Sequence, residues 1–368
     1  MKSSQTSTLS TVLSAVLCGA CLWPQAAFCQ GSLTPPGTPA PTMKSLDQIE
    51  PRTPITNATA VIISASGSYY LTTNITVSTN SAITITANGV TLDLNGFTIS
   101  STAAGATGTG ILLAGGNADI TILNGHIKGG VTNNGSGVYG GGGFANGITY
   151  SVPTPSNVRV AGVSVSGCLS GGILLANSVS IVVESCTVQT IGGYGIVAAS
   201  VSHSVAYQCG TIAISARTAS DCSGWASPGE GLVAASADNC SGISDNGIGL
   251  QANTANNCSG FSITGNYGLF ADSANNCYGS AGISGTGLAG LSATIANNCY
   301  GLNSSGTGLD STTANNCQGQ SNSGTGLNAH NIAIGCYGSS SSGTGLSAFI
   351  ANSCDGTSFN VTHKYNMP

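Results

Sequence analysis

The apolar positions in the C-terminal half of the chain come in short groups divided by Gly and Asn, without helical spacing. No stretch places apolar residues at i, i+3, i+4 and i+7 over several turns, and Gly at this density opposes helix formation. Leu232 and Ala234 have the two-residue spacing of strand side chains that face one way, and a corner must fall between Ala237 and Cys240. The pattern predicts an all-β chain of short strands joined by turns.

Cysteine gives these strands a period. Successive cysteines recur at sequence intervals of 18, 18, 19, 22, 18, 19 and 18, and most of them close a phrase that begins with Gly-Leu, such as Gly231-Leu232. A repeat this short cannot bury an apolar face by itself, so it must stack on its neighbours as a solenoid. The members of this thiol ladder are Cys222, Cys240, Cys258, Cys277, Cys299, Cys317, Cys336 and Cys354.

The period continues upstream in weaker form. Counting back from Cys222 in steps of 18 residues reaches Ser204, Cys186 and Cys168. This predicts about eleven rungs between 168 and 354. Rungs stacked at the strand spacing of about 4.8 Å make a rod roughly 50 Å long. The longest step between cysteines indicates an insertion at Gly287–Gly290.

Stacking places one residue type above itself. Cysteines in adjacent rungs would lie about 4.8 Å apart, which is longer than the Cβ separation in a disulfide and favours buried free thiols. Disulfides between adjacent rungs are the alternative, because exported proteins often contain them. The sequence has no zinc-binding spacing beyond Cys18 and Cys21, so no metal site is predicted. Asparagines at the turn can form an amide hydrogen-bond ladder, and the candidates are Asn239, Asn257, Asn276, Asn298 and Asn316.

The N-terminal end differs in composition. Residues 1–29 have the features of an export signal, with Lys2 before an apolar stretch and a cleavage site near Cys29; lipidation of an early cysteine is the alternative. Residues 30–56 are rich in Pro and Thr and are predicted to be a linker. Because no later stretch is apolar enough to cross a membrane, the predicted location is secreted, periplasmic or cell-surface.

The C-terminal segment 357–368 is predicted to cover the last rung. An uncovered rung would expose unpaired strand edges and promote end-to-end association, so the cap predicts a monomer. The apolar residues expected in this cap are Phe359, Val361 and Tyr365.

Charge limits the partners. Only 5% of the residues are charged, against about a quarter in ordinary globular proteins, and no Lys or Arg lies between Arg217 and Lys364. Nucleic acids and anionic lipid surfaces require clustered positive charge, so both are excluded as expected partners. Solubility must rest on Ser, Thr and Asn.

The N-terminal half has longer, more irregular strands. At Gly67–Leu71, Ile83–Ile85 and Asn88–Ile99 the chain resembles right-handed parallel β-helix proteins of the pectate-lyase-like superfold, which includes periplasmic copper-site accessory proteins and alginate-modifying enzymes. The resemblance implies a single-stranded right-handed parallel β-helix, with an N-terminal cap and larger coils over 57–165. Over 166–356 the repeat predicts about 18-residue coils of the same helix.

A left-handed hexapeptide helix has coils of the same length. It would place aliphatic residues every six positions, whereas Leu232 is followed at those offsets by Asp238 and Ser244. The left-handed alternative is therefore rejected. The resembling fold hosts lyases, hydrolases, epimerases, adhesins and tail fibres, so it specifies architecture but not activity.

Few side chains could support catalysis. His126 and Lys128 are two residues apart and can share one strand face, where they would offer a base and a cation to an acidic sugar; they are the candidate catalytic residues. The simpler interpretation is two solvated residues on an outer face. His203 replaces the repeat asparagine, and Arg217 can pair with Asp221. The arginine-rich strand and paired aspartates of carbohydrate-active relatives are not visible.

Calcium and ice are two further ligands for which the sequence offers little support. Calcium is the alternative to the absence of any cofactor, but Asp238, Asp245, Asp272 and Asp310 are scattered and lack a Gly-Gly-x-Gly-x-Asp repeat. Ice binding would need two outward threonines per rung, whereas the repeated Ser-Gly-Thr-Gly-Leu supplies one and is interpreted as a turn. Its threonines are Thr286, Thr307, Thr325 and Thr344.

The uniform repeat and the shortage of ionisable groups favour a non-catalytic role. The leading hypothesis is an exported scaffold that binds polysaccharides or cell-surface glycans through faces rich in Ser, Thr and Asn. The alternative is a polysaccharide lyase, hydrolase or epimerase that acts on an acidic glycan at the 110–220 region. Ice-binding and phage-fibre-like roles are kept as minor alternatives.

Overall fold

The computed structural model describes residues 51–178, 180–282 and 287–367. The chain divides between Pro51 and Arg52, and the unit that begins at Arg52 is the one described below. Every helix or strand assigned in these residues is a β-strand.

The predicted signal segment, 1–29, and most of the predicted linker, 30–56, lie outside the described residues. The first strand begins at Thr53. The linker prediction was therefore too long at its C-terminal end, because Ile55 is already buried in the core.

The strands follow one another at short intervals. In chain order they are β1 (Thr53–Ile55), β2 (Val61–Ile63), β3 (Gly67–Leu71), β4 (Ile75–Val77), β5 (Ile83–Ile85), β6 (Val90–Asp93), β7 (Thr98–Ser101), β8 (Thr109–Leu113), β9 (Ala118–Lys128), β10 (Gly130–Asn133), β11 (Tyr139–Gly142), β12 (Asn146–Tyr150), β13 (Ser156–Cys168), β14 (Gly171–Leu174), β15 (Ile181–Glu184), β16 (Thr187–Ile191), β17 (Tyr194–Ser202), β18 (Val205–Cys209), β19 (Ile214–Ser220), β20 (Ser223–Ala226), β21 (Leu232–Asp238), β22 (Ser241–Ser244), β23 (Leu250–Asn256), β24 (Ser259–Ser262), β25 (Tyr267–Asn275), β26 (Tyr278–Ala281), β27 (Ala289–Asn297), β28 (Tyr300–Asn303), β29 (Thr307–Asn315), β30 (Gln318–Ser321), β31 (Leu327–Ile334), β32 (Tyr337–Ser340), β33 (Leu346–Asn352), β34 (Asp355–Gly356) and β35 (Phe359–Tyr365).

Stacked coils form three parallel faces around one core. Face A starts with β2, β5, β8, β12 and β14, and face B with β1, β3, β6 and the first halves of β9 and β13. Face C starts with β4, β7 and the second halves of β9 and β13, followed by β16. From β17 onward one long strand spans faces A and B, and the short strand after it belongs to face C. The chain is a parallel β-helix of about 16 coils, as the repeat predicts.

Register explains the repeat. Leu232, Leu250 and Leu269 lie directly above one another and are fully buried. Ile196 pairs with Ile214, one regular step later, whereas the coil before it is longer by an insertion. The regular spacing therefore begins near Val182, which pairs with Ser200, later than the predicted start at 166.

The core changes along the axis. In the N-terminal coils it is filled by large aliphatic residues such as Leu92 and Ile99, and in the C-terminal coils by Ala, Cys and one Leu per coil. The repeated Gly allows this thin core. A Cβ on Gly249 would lie 2.3 Å from the backbone nitrogen of Phe261, so faces A and C can approach closely only without a side chain there.

The residue before each ladder cysteine, most often asparagine, occupies a left-handed corner between faces B and C. Asn276, for example, has φ 53°, a conformation that Asn and Gly tolerate better than other residues. The same corner runs the whole length of the helix. Its members are Asn95, Asn124, Gly162, Ser185, His203, Asp221, Asn239, Asn257, Asn276, Asn298, Asn316, Gly335, Ser353 and Asn366.

The continuous amide rail lies one residue before this corner, not at the asparagines predicted to form it. Asn275 donates to Asn256 at 3.0 Å, Asn297 donates to Asn275 at 2.8 Å, and Asn315 donates to Asn297 at 2.9 Å. Of the predicted asparagines, Asn276 makes one such bond, to Asn257 at 3.3 Å. The corner side chains are exposed, whereas Asn256, Asn275, Asn297 and Asn315 of the rail are half-buried, so the prediction missed the rail by one position.

The thiol ladder has the predicted register. Its eight cysteines stack in one column, are 1–3% exposed and are free thiols. Cys186 and Ser204 extend the column upstream as predicted. Cys168 does not belong to it: Cys168 pairs with Ile191, which pairs with Cys209. The extension to Cys168 was wrong because the coil above it is longer than the regular repeat. Counting back by the regular interval from Cys186 therefore reaches a residue that belongs to another column.

Two smaller predictions are refined at the C-terminal end. The segment 357–368 contains β35, which adds a last rung on faces A and B; Phe359 and Val361 pack against the core, but Tyr365 is 56% exposed. In the turn repeat, Thr307 pairs with Ala289 in the coil below. Thr286 itself lies outside the described residues.

Candidate ligand-binding face

The predicted catalytic pair lies on the outside of face C. His126 and Lys128 are both exposed on the second half of β9 and face the same way, as their spacing predicts. Their partners in the coil below are Thr98 and Ser100, and those in the coil above are Ser164 and Ser166. The pair therefore lies among hydroxyl groups, and the adjacent coils bring no carboxylate into register with it.

Two other pairs of ionisable residues in the middle region are in contact. Arg159 forms an ion pair with Glu184. The Nε2 of His203 lies 3.5 Å from Asp221 Oδ2, so Asp221 has a partner at the corner other than the predicted Arg217. These contacts run between adjacent coils at the surface, where such pairs add little stability.

A further polar cluster was missed by the sequence reasoning. His330 Nε2 lies 3.1 Å from Asp310 Oδ1, and Asn328 donates to the same carboxylate at 2.8 Å. His330, Asp310 and Asp272 line a shallow groove of about 210 Å³ where face A meets face B. Within the described residues, no group of three His, Cys, Asp or Glu side chains could hold a metal ion.

A row of large side chains runs along the outside of face C. Trp225, Ile243 and Phe261 lie in one column in successive coils, with Tyr207 below them. The row then moves two positions along the strand, to Tyr278 and the tyrosines above it. Those tyrosines are Tyr300 and Tyr337.

Trp225 is held on two sides. Its ring meets that of Tyr207 edge to face, with centroids 4.7 Å apart, and its indole nitrogen donates to Asp245 Oδ1 at 3.2 Å. A half-buried tryptophan with a fixed ring and a satisfied N–H is a rigid contact surface.

A groove runs beside the lower part of this row, and its wall is formed by Trp225, Ile243 and Phe261. Ser223, Ser241 and Ser259 stack in the neighbouring column of face C and form its floor, and the Oγ atoms of Ser241 and Ser259 are 3.2 Å apart. The opposite rim is the left-handed corner, where the Asn239 amide donates to Asp221 Oδ1 at 2.5 Å and Asn257 follows in the next coil. The space between the floor and this rim is about 330 Å³. We call the floor, rim and wall together the face C groove.

The electrostatics of the face C groove are those of a neutral to weakly acidic surface. Asp221 on the rim and Asp245 beside Trp225 are its carboxylates. Above Arg217 the chain has no Lys or Arg until Lys364. Burial raises the pKa of the Tyr300 phenol, which keeps its proton and donates to Gln320 at 2.8 Å.

Sequence reasoning missed the groove although the signal was present. Trp225, Ile243 and Phe261 recur with the same interval as the ladder cysteines. The same interval separates the residues two positions earlier, which are Ser223, Ser241 and Ser259. Residues two apart on a strand face one way, so the two columns could have been assigned to one outer face.

A second groove, of about 540 Å³, lies on face A. Its floor is formed by Leu174 and Val197, and Tyr150, Val152 and Tyr194 rise beside it. It is mostly apolar and lacks the asparagine rim of the face C groove.

No protein-family model matches the chain, and no curated protein is similar to it. Among solved structures, the chain is similar to full-length tailspike protein 2 from Escherichia coli O157:H7 bacteriophage CAB120, with 15% identity and a TM-score of 0.27. The match covers 81% of this chain and 35% of that one, so this chain spans about a third of the tailspike's length. No helix in the described residues is long and apolar enough to cross a membrane. The strand register itself makes the chain a parallel β-helix repeat protein.

Proposed function

We propose that the protein is an exported, non-catalytic scaffold that binds neutral glycans in the face C groove. The observation that carries the proposal is the pairing of a wall formed by Trp225, Ile243 and Phe261 with a serine floor, Ser223 to Ser259, along the same three coils. Export is part of the proposal because residues 1–29 have the composition of a signal segment.

The chemistry of a sugar ring suits both sides of this groove. Its C–H faces are apolar and pack against aromatic rings, and its hydroxyls both donate and accept hydrogen bonds. Serine hydroxyls and asparagine amides offer donors and acceptors in the same way. Binding sites commonly combine an apolar wall with a few placed polar groups.

The groove is also rigid before any ligand arrives. Its floor and wall stand on backbone that is hydrogen-bonded to coils above and below, and Trp225 is fixed by Tyr207 and Asp245. A surface that does not need to be ordered on binding loses less entropy than a flexible loop.

The charge of the groove selects among glycans. Asp221 would repel a uronate, and the described residues that line the groove include no Lys or Arg; the nearby His203 already contacts Asp221. The proposal is therefore for neutral rather than acidic sugars, which also separates it from the catalytic alternative at His126 and Lys128.

The test compares neutral and uronate oligosaccharides on a glycan array, with and without calcium. Wild-type protein should bind neutral glycans and lose at least about tenfold in affinity in Trp225→Ala or Phe261→Ala. Phe349→Ala is the matched control, because Phe349 is an aromatic residue, 48% exposed, at the junction of faces A and B. Equal loss in all three variants, or binding only to uronates, contradicts the proposal.

The catalytic alternative has its own test. If the chain degrades acidic glycans, His126→Ala and Lys128→Ala should abolish the appearance of shortened products. If depolymerisation is observed and survives both substitutions, these residues are not its catalytic groups.

A further inference from the structure

We infer that the face C groove is closed at both ends and holds a short segment of a neutral oligosaccharide, with Tyr278 determining the accepted length. This inference rests on the proposed function. It follows from the order of side chains in the floor column, which reads Val205, Ser223, Ser241, Ser259 and Tyr278 from one coil to the next.

The upper end of the groove is closed because the side chain in the floor column changes while the backbone register continues. Tyr278 occupies the position directly above Ser259, so a phenol ring stands where the floor would otherwise continue. Tyr300 lies directly above Tyr278, with ring centroids 5.5 Å apart, and its hydroxyl is bound to Gln320. The two rings support one another, and the obstruction is two coils deep.

The wall ends at the same level. Phe261 pairs with Ser280 in the coil of Tyr278, so the aromatic column gives way to a small residue where the floor column becomes aromatic. The large side chains thus move from the wall into the floor. A ligand that lies on the serines and packs against Phe261 meets Tyr278 end-on.

The lower end is closed in the same column. Val205 lies directly below Ser223 and is 42% exposed, so it replaces a small polar floor residue with a branched apolar one. Tyr207, two residues along the same strand, packs against Trp225 and occupies the wall at that level.

The open floor is therefore three coils long. Three strands at about 4.8 Å each give a length of roughly 14 Å, which is room for about three sugar rings if one ring spans about one strand spacing. Rings beyond these would leave the groove and add no contacts with its floor. The ligand class is accordingly a short neutral oligosaccharide, or one short segment of a longer chain.

Tyr278 is then a specificity-determining residue, and the repeat itself supplies the variant that tests it. Serine is the residue of this column in the three coils below, so Tyr278→Ser extends an existing floor without a new backbone conformation. Tyr278→Ser/Tyr300→Ser extends the floor by two coils. Tyr337→Ser is the matched control, because Tyr337 lies in the same column above Gln318 and does not adjoin the groove.

The probe is a size series of β-1,4-linked glucose oligomers, from the disaccharide to the octasaccharide, titrated by Trp225 fluorescence and by calorimetry. We expect the affinity of the wild-type protein to rise up to the tri- or tetrasaccharide and then stay within about twofold. The double variant should instead bind the octasaccharide about fivefold more tightly than the tetrasaccharide. The control should follow the wild type, and all four proteins should have similar circular dichroism.

The outcomes separate the two proposals. Wild-type affinity that continues to rise to the octasaccharide, or a double variant whose affinity levels off at the wild-type length, overturns the closed groove but leaves glycan binding standing. If neither protein binds any member of the series, both the closed groove and the proposed binding of neutral glucans are overturned.

Discussion

The Nδ2 atom of Asn275 lies 3.0 Å from Oδ1 of Asn256 in the coil below, and Asn297 repeats this hydrogen bond to Asn275 at 2.8 Å from the coil above. The bonds run parallel to the helix axis, beside the backbone ladder of face B. Asn275 and Asn297 each donate to the coil below and accept from the coil above, so the rail ties adjacent coils together through side chains as well as backbone.

Breaking the rail at its centre should destabilise the protein. In Asn275→Leu, the amide of Asn297 loses its acceptor and Asn256 loses its donor in a half-buried setting, which should lower the free energy of unfolding by about 1 to 2 kcal/mol. Urea unfolding monitored by circular dichroism measures the loss. Asn253→Leu is the control, because Asn253 is exposed on β23. Equal urea midpoints for the Asn275→Leu and Asn253→Leu variants would contradict a stabilising role of the rail.

The left-handed corner makes a separate prediction at the next residue. Asn276 has φ 53°, and the same column contains Gly335 at φ 60°. Asn276→Gly should therefore be tolerated, whereas Asn276→Val should cost about 1 to 2 kcal/mol, because a β-branched residue is strained at positive φ. Thermal unfolding of the two variants distinguishes them. If Val and Gly are equivalent, the corner does not constrain the sequence.

The adjacent asparagines show what the sequence could and could not predict. The period of the repeat alone predicts a stacked all-β fold, because a repeat of that size must bury its apolar side against its neighbours. It does not distinguish Asn275 from Asn276, because both recur with the same period. Only the backbone conformation, extended at one and left-handed at the next, decides which amide points along the axis.

The same limit applies to cysteines and to the groove. Counting in steps of constant size places Cys186 in the ladder but misplaces Cys168, since coil length changes where the core changes from large aliphatic residues to Ala and Cys. The columns that begin at Trp225 and Ser223 recur with the period of the ladder cysteines. Periodicity alone, however, does not show that a column faces outwards and is flanked by a rim. The groove required the register of all three columns together.

The thiol ladder should accept serine more readily than a larger apolar residue. Ser204 already occupies the column: it is fully buried and donates to the carbonyl of Ser202 at 2.8 Å, as Cys258 does to Asn256 at 3.0 Å. Cys258→Ser should thus cost less than about 1 kcal/mol, and Cys258→Leu about 1 to 3 kcal/mol because the core has no room for it. Urea midpoints measure both. A leucine variant as stable as the wild type would show that the core is not tightly packed.

Stability should fall in alkaline solution through the buried thiols. Burial raises the pKa of Cys168 to about 12 and that of Cys209 to about 12, while an unfolded thiol titrates near about 8.5. The stabilisation is thus fully present below about pH 8.5 and is lost as the pH rises towards 12, because the unfolded chain releases its protons first.

Each of these thiols should lower the free energy of unfolding by about 1.4 kcal/mol per pH unit within that range. Urea midpoints measured at pH values across it give the slope. Cys168→Ala/Cys209→Ala is the comparison: cavities change its stability at every pH, but its slope should be shallower than that of the wild type. Parallel curves for the two proteins would show that these thiols do not titrate on unfolding.

The last strand should keep the chain monomeric. Within the described residues β35 pairs only with β33, and its apolar residues Phe359 and Val361 cover the end of the core. Lys364 lies over the Phe359 ring at 4.9 Å and places a charge on the outermost strand, which discourages pairing with another chain. Deleting residues 357–368 should uncover β33 and Leu346, which is fully buried, and promote oligomers that grow with concentration in light scattering. Lys364→Val keeps the strand but removes the charge, so it should produce weaker association than the deletion. If the shortened chain stays monomeric at high concentration, β35 is simply the final rung and the end of the core needs no cover.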